Sequence, residues 1–176
     1  DDLYILSSDL STHLDTLNEL FYRCRQYGLK ISVKKSEFCY TKTDFLGFKL
    51  TSEGLTMSEN KIKVIKNMKI PTSIKEVRRF NGTVNFFRRL IKGYADIMTP
   101  LFVLTTKNVR FSWSVDCQQA FDTMVQKLIS APILAWPRAD IPYTIFCDAS
   151  EIGYGAVLMQ NDEKLNHAVV VGYESR

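Results

Sequence analysis

The sequence predicts an α+β fold in which short strands lie towards the two ends and helices fill the middle. Three observations lead there. Apolar residues recur at helical spacing over 14–24 and again from Ser58 to Leu128. Short extended runs bounded by glycine, proline and acidic turn residues flank that middle. With 45% apolar, 12% aromatic and 24% charged residues in 176, the chain also has the composition of an ordinary globular protein.

Taken in order, Leu3 to Ser7 reads as the outgoing half of a short strand. Leu14, Leu17, Leu20, Phe21 and Cys24 then mark one face of a helix, and Gly28 supplies its C′ stop. Phe38–Tyr40 and Phe45–Leu50 are extended runs, the second with Gly47 inside it, and a turn at Glu53 and Gly54 closes the region. A helix from Ser58 to about Met68 is broken by Pro71. Ser73 and Glu76 form a capping box that opens a second helix over about 74–92. A short helix around Ile97–Leu104, a turn holding Trp113 and a helix with Phe121, Met124, Val125 and Leu128 on one face come next. Pro132 to Leu134 is a short extended piece, and Pro137 to Pro142 reads as a loop. Tyr143–Cys147, Gly153–Met159 and Ala168–Tyr173 then read as three strands joined by short turns, the start of an α/β domain.

Several function classes fall away. No apolar run approaches the roughly 18 residues of a membrane span, Pro100–Leu104 and Ala168–Val171 being among the longest. The opening Asp1 and Asp2 show no secretory or transit signal, so neither a membrane nor a secreted protein is expected. Cys24, Cys39, Cys117 and Cys147 lie far apart with no CxxC pair, and only two histidines accompany them. That spacing predicts no zinc site but buried, reduced thiols in an intracellular protein, cytoplasmic or nuclear.

Charge is unevenly spread. The net +4 hides a block over residues 61–92 with ten Lys and Arg against Glu76 alone, while residues 140–176 sum to −4. Such a block is the footprint of a polyanion-binding element, though on charge alone a solvated helix pair reads the same. The helix over 74–92 sharpens the choice. Val77, Phe80, Val84, Phe87 and Ile91 make a stripe for burial, and Lys75, Arg78, Arg79, Gly82, Phe86 and Arg89 gather on the opposite side. Glycine in an exposed helix interior costs about 1 kcal/mol relative to alanine, and an exposed Phe gains nothing from water. Both make sense if a sugar–phosphate surface approaches over Gly82 while Phe86 meets sugar or base edges and the arginines meet phosphates. Packing of Phe86 on another protein element is the alternative.

In their order and spacing, Asp1 with Asp2, Gly28 and Leu29 with Lys34 and Lys35, Phe45-Leu46-Gly47, the run Arg78 to Gly82 and the run Asp148 to Leu158 resemble the Pol polyprotein of gypsy-type LTR retrotransposons, relatives of the retroviral reverse transcriptases. The resemblance implies the end of a polymerase palm with a primer-grip-like hairpin over 1–56, a helical thumb over 57–94 and a connection over 95–140. Residues 141–176 would be the first strands of an RNase H-like domain. By the same resemblance, Asp1 and Asp2 are the paired palm carboxylates and Asp148 is the first RNase H carboxylate. Such groups hold two Mg²⁺ ions as hard oxygen ligands. Read alone, two terminal aspartates are a solvated end and Asp148 is a turn former. Lys34 or Lys35 would lie near the incoming nucleotide's phosphates, or simply face solvent. Phe45, Leu46 and Gly47, with Phe48, would grip the primer end, although a plain core hairpin with a bulge glycine reads the same. Arg78, Gly82 and Phe86, with Asn85 beside them, fall where the thumb helix tracks the minor groove of the template–primer duplex, the face the helical wheel selects independently.

The implied partners are an RNA/DNA template–primer duplex and the remainder of the Pol polyprotein, with dimerisation left open and virus-like particles as one setting. The family's third palm carboxylate and its nucleotide pocket precede Asp1, and its other RNase H carboxylates follow Arg176. The expectation is therefore that these residues alone perform neither reaction. A domesticated or truncated relic that only binds nucleic acid or protein is the alternative; intact Asp1, Asp2 and Asp148 favour the enzyme.

Overall fold

The structure, a computed structural model, describes residues 3–149, 153–162 and 167–176. Its first helix, α1 (Leu10–Gln26), starts at Asp9, whose Oδ1 accepts the Thr12 N–H at 2.9 Å. That bond, with those from the Ser8 and Thr12 hydroxyls, holds the Asp9 carboxyl below its usual range. The helix ends as expected at Gly28, where φ is 67°. Leu29 N–H reaches Cys24 O at 2.8 Å and Gly28 N–H reaches Arg25 O at 3.4 Å, the paired bonds of a Schellman cap. Leu17 and Cys24 are buried, whereas Leu14 and Phe21 are exposed.

Leu3–Ser7, expected as half a strand, forms none, and Phe38–Tyr40 is irregular. Extended φ and ψ become a strand only through a hydrogen-bonded neighbour, and neither segment has one among the described residues. The expected run Phe45–Leu50 is instead a hairpin. Strand β1 (Thr43–Phe45) pairs antiparallel with β2 (Phe48–Leu50), and β2 pairs with β3 (Leu55–Met57). Leu46 and Gly47 sit between them with φ of 51° and 83°, so Gly47 is a turn residue and not a bulge. A Cβ on Gly54 would lie 2.0 Å from Leu134 O, because Leu55 and Leu134 exchange both backbone hydrogen bonds at 2.8 Å. This close approach requires glycine.

Helices α2 (Glu59–Lys66), α3 (Ile74–Asn85), α4 (Tyr94–Val103) and α5 (Val115–Ile129) follow. One buried cluster runs from Met57 and Ile65 through Val77, Val84, Phe87 and Met98 to Met124, Leu128 and Leu134, so residues on both sides of position 94 share a core. Ser114 caps α5 by accepting the Cys117 N–H at 3.2 Å. Cys24 and Cys117 are buried thiols as expected, but Cys39 and Cys147 are exposed, the first in an irregular segment and the second on an edge strand.

Strands β4 (Tyr143–Ala149), β5 (Tyr154–Asp162) and β6 (His167–Ser175) form a separate antiparallel sheet in that order. Polar contacts help fasten β6 to the helical part of the chain, against whose core Val170 and Tyr173 also pack. Arg88 pairs with Glu174 at 3.1 Å, and Ala95 N–H donates to Ser175 Oγ at 2.9 Å. Gln160, buried on β5, accepts the Arg138 N–H at 2.9 Å and donates to the carbonyls of Arg138 and Ile141, which fixes the loop entering the sheet. Among the described residues, two antiparallel sheets with α1 ahead of the first and α2 to α5 between them in the chain make the fold α+β. No helix among the described residues is long and apolar enough to cross a membrane.

Candidate nucleic-acid interface

The expected face is built on α3. Ser73 Oγ accepts the Glu76 N–H at 3.3 Å, which is half of the predicted capping box. The other half is displaced by one residue, because the Glu76 carboxylate takes the Thr72 N–H at 2.7 Å and the Thr72 hydroxyl at 2.9 Å. Those bonds hold the Glu76 carboxyl below its ordinary range. The single acid of the basic block is thus spent on the helix N-terminus.

The helix ends at Asn85, earlier than the predicted 92, and gives way to a 3-10 turn over Arg88–Leu90. Periodicity misleads here because the tighter turn still buries Phe87, Leu90 and Ile91 on the same side as Val77, Phe80 and Val84. Arg89 therefore lies beyond the helix, though exposed. Lys75, Arg78, Arg79, Gly82, Asn85 and Phe86 are all exposed as well. A Cβ built on Gly82 meets nothing within 4 Å, so the notch in the helix opens on free space. Phe86 is 51% exposed while its ring lies 5.3 Å from Phe48 and 5.0 Å from Phe87. It rests on the hairpin and still presents half of its surface. Arg78 Nη2 donates to Thr105 O at 3.3 Å, which steers one arginine of the face through the end of α4.

The hairpin turn docks beside this face. Ser58 N–H donates to Gly47 O at 3.0 Å, and a Cβ on Gly47 would come within 3.3 Å of Phe87 Cζ. Leu46 points outward, whereas Phe45 is half-buried with its ring 5.4 Å from Tyr4. Between the turn and the end of α3 lies a cleft of ≈ 270 Å³ lined by Leu46, Lys61, Thr83, Phe86 and Phe87. Lys61 and Thr83 escape a reading by periodicity, since only the fold brings the first turn of α2 and a residue of α3 to one cleft beside the hairpin turn. The signal in the sequence was Lys61 three residues after the capping Ser58.

The remaining predicted site residues lie elsewhere. Lys34 and Lys35 are exposed on a short 3-10 turn, and no hydrogen bond or ion pair joins them to the α3 face among the described residues. Asp148 is exposed on β4 opposite Gly155. Asp1 and Asp2 lie outside the described residues.

The family described as "Reverse transcriptase (RNA-dependent DNA polymerase)" matches residues 1–50, and that described as "RNase H-like domain found in reverse transcriptase" matches residues 113–176. The retrovirus-related Pol polyprotein from transposon 412 of Drosophila melanogaster is 36% identical over 176 residues, all of this chain. The chain belongs to the reverse transcriptase family. Among Pol relatives, that from Drosophila transposon opus is 33% identical over 93% of this chain, and the Gag-Pol polyprotein of baboon endogenous virus (strain M7) is 31% identical over 84%. This reverse transcriptase segment spans 14%, 17% and 9% of those three relatives. The similarity to gypsy-type retrotransposon Pol proteins holds along its length. In fold it is similar to the foamy viral protease–reverse transcriptase. The structure described as in complex with RNA/DNA hybrid gives a TM-score of 0.80 at 23% identity, covering 97% of this chain and 23% of that one. The structure described as in complex with dsDNA gives 0.79 at 24%, covering 97% and 36%.

Mg²⁺ takes several hard oxygen ligands in octahedral geometry. Among the described residues, no three His, Cys, Asp or Glu side chains come together as a metal site. Asp148 offers one such oxygen ligand group, exposed on β4.

Proposed function

We propose that this chain is the part of a reverse transcriptase that holds the template–primer duplex, with the exposed side of α3 lying along its sugar–phosphate surface. The observation that carries this reading is the open, glycine-notched face bearing Arg78, Arg79, Lys75 and Phe86. A face of guanidinium and ammonium groups with one aromatic ring contacts phosphate and sugar, reads shape, and binds with strong salt dependence. In this assignment residues 1–56 close the palm, 57–94 are the thumb, 95–140 the connection and 141–176 the opening strands of the RNase H-like domain. Lys34 and Lys35 serve the incoming nucleotide, and Phe45, Leu46 and Gly47 the primer end. The whole Pol protein would copy RNA into DNA and degrade the RNA of the hybrid, using Mg²⁺, inside the cell. The solved foamy viral relatives, described as bound to dsDNA and RNA/DNA hybrid, support the choice of ligand.

The test is the double variant Arg78→Ala, Arg89→Ala. Loss of two phosphate contacts should weaken duplex binding and make the slope of log affinity against log salt shallower by about 1.8. Unchanged affinity and slope would overturn the proposal.

A further inference from the structure

We infer that Ser175, at the end of β6, is a positioning residue for the duplex-holding face: it caps α4 from outside the helix and so fixes the corner at which α3 meets α4. The role rests on the duplex-holding reading above and involves no contact of Ser175 with nucleic acid.

Helices α1, α2, α3 and α5 supply their own caps, since Asp9, Ser58, Ser73 and Ser114 each accept a backbone N–H of the turn they precede. Helix α4 does not. Its N-cap position is Gly93, with no side chain and a φ of 69°. That left-handed φ turns the chain from the 3-10 turn Arg88–Leu90 into α4, and it excludes the extended backbone from which an N-cap side chain does its work. The first N–H groups of α4 must then find partners elsewhere. Ala95 N–H, at the second helical position, goes to the Ser175 hydroxyl at 2.9 Å, from a residue 80 positions away in the chain. Glu174, next to Ser175, pairs with Arg88 on the other side of Gly93 at 3.1 Å. Adjacent residues of β6 thus hold the chain before and after the bend. The ion pair is about half-exposed at both ends and stabilises little, so the part-buried capping bond is the stronger hold.

The strand that supplies the cap is itself anchored. Ala135 N–H donates to Val170 O at 2.8 Å, and Tyr154 and Arg176 exchange backbone bonds at 3.0 and 2.9 Å, one residue beyond Ser175. At its far end α4 meets α3. Asn81 Nδ2 donates to Leu101 O at 3.4 Å, and Arg78 Nη2 to Thr105 O at 3.3 Å. Arg78 belongs to the exposed face. A rod about 15 Å long therefore runs from the Ser175 hydroxyl to one of the guanidinium groups of that face. Without the cap the first turn of α4 loosens, and the angle at which α3 presents Arg78, Arg79 and Phe86 loosens with it.

The test compares the unmodified chain with Ser175→Ala and Ser175→Thr, by amide hydrogen exchange and by anisotropy with a fluorescent DNA duplex over a range of salt. In Ser175→Ala, exchange at Ala95 should quicken about fivefold, the ordinary effect of losing a cap. Exchange over 96–105 and 78–85 should quicken with it, while α5, which has its own cap at Ser114, keeps its rate. Duplex affinity should fall about threefold with the slope of log affinity against log salt unchanged, because no phosphate contact is removed. Ser175→Thr, which keeps the hydroxyl, should restore both readouts. Unchanged exchange at Ala95 would show that the hydroxyl does not hold α4. Faster exchange with full duplex affinity, while Arg78→Ala with Arg89→Ala is weakened, would remove the positioning role and leave the duplex reading standing. A shallower salt slope in Ser175→Ala would make Ser175 a direct contact, and quickening that includes α5 would make the bond one of general stability; either overturns the role. If Arg78→Ala with Arg89→Ala binds at full affinity, the duplex reading falls and the positioning role with it. Far-ultraviolet circular dichroism checks each variant's fold.

Discussion

Replacing Gly82 by alanine should move stability and duplex binding in opposite directions. Gly82 occupies the ninth of the twelve positions of α3, is exposed, and offers a new Cβ no neighbour within 4 Å. Nothing therefore offsets the helix preference for alanine, about 0.8–1.0 kcal/mol in an interior position. Part of that gain arises in the unfolded chain, which loses the freedom glycine gives it. For a domain of this size the melting temperature should rise by about 2–4 °C. In the complex the same methyl stands where the sugar–phosphate surface comes nearest, and it should lift the strand off Arg78, Arg79 and Phe86 together. A tenfold loss of affinity, about 1.4 kcal/mol, is the expected scale. Thermal melting of the free chain and fluorescence anisotropy with one duplex measure the two effects. A stabilised variant that binds as tightly as before would show that no surface approaches over Gly82. A destabilised variant would show that the notch is filled by protein.

Tyr94→Phe should stabilise the fold by up to about 1 kcal/mol, because the buried Tyr94 hydroxyl has no hydrogen-bond partner among the described residues. Burial raises that phenol to about 12, against a weaker opposing pull from Arg88. Its folded value exceeds the unfolded value near 10, so the stability it contributes is complete below about pH 10 and is lost as pH climbs through about 12. Phenylalanine has no such loss, and the gap in melting temperature between the two proteins should widen from pH 8 to pH 11; a constant gap would refute it. Gln160→Ala should cost about 2 kcal/mol in urea unfolding by stranding the backbone groups of Arg138 and Ile141. Amide exchange at Arg138 should quicken in that variant, and unchanged exchange would show the loop to be held by other contacts.

Where side-chain period and capping chemistry decide structure, the sequence was sufficient. The Gly28 stop of α1, the Ser58 and Ser73 starts of α2 and α3, and the buried Val77, Phe80 and Val84 follow from local rules alone. What escaped depends on distant partners. Strand β3 has three residues and owes its place to β2 and Leu134, and the turn at Leu46 uses a positive φ that leucine seldom takes. The helix end at Asn85 was hidden because the 3-10 turn after it keeps the apolar side facing the core. The charged side of α3 could be read from spacing, yet the cleft beside it could not, since Leu46, Lys61 and Phe86 meet only after the hairpin folds against the helix.

Hydroxyl-radical footprinting with and without duplex tests the central claim most directly, because Phe86 at 51% and Leu46 at 58% exposure are both open to oxidation in the free chain. Duplex should sharply reduce oxidation of these two side chains and leave Val115, which is 82% exposed on α5, at its free rate. Unchanged oxidation of Phe86 in a saturated complex would contradict it, since the nucleic acid would then be bound somewhere other than the notched face of α3.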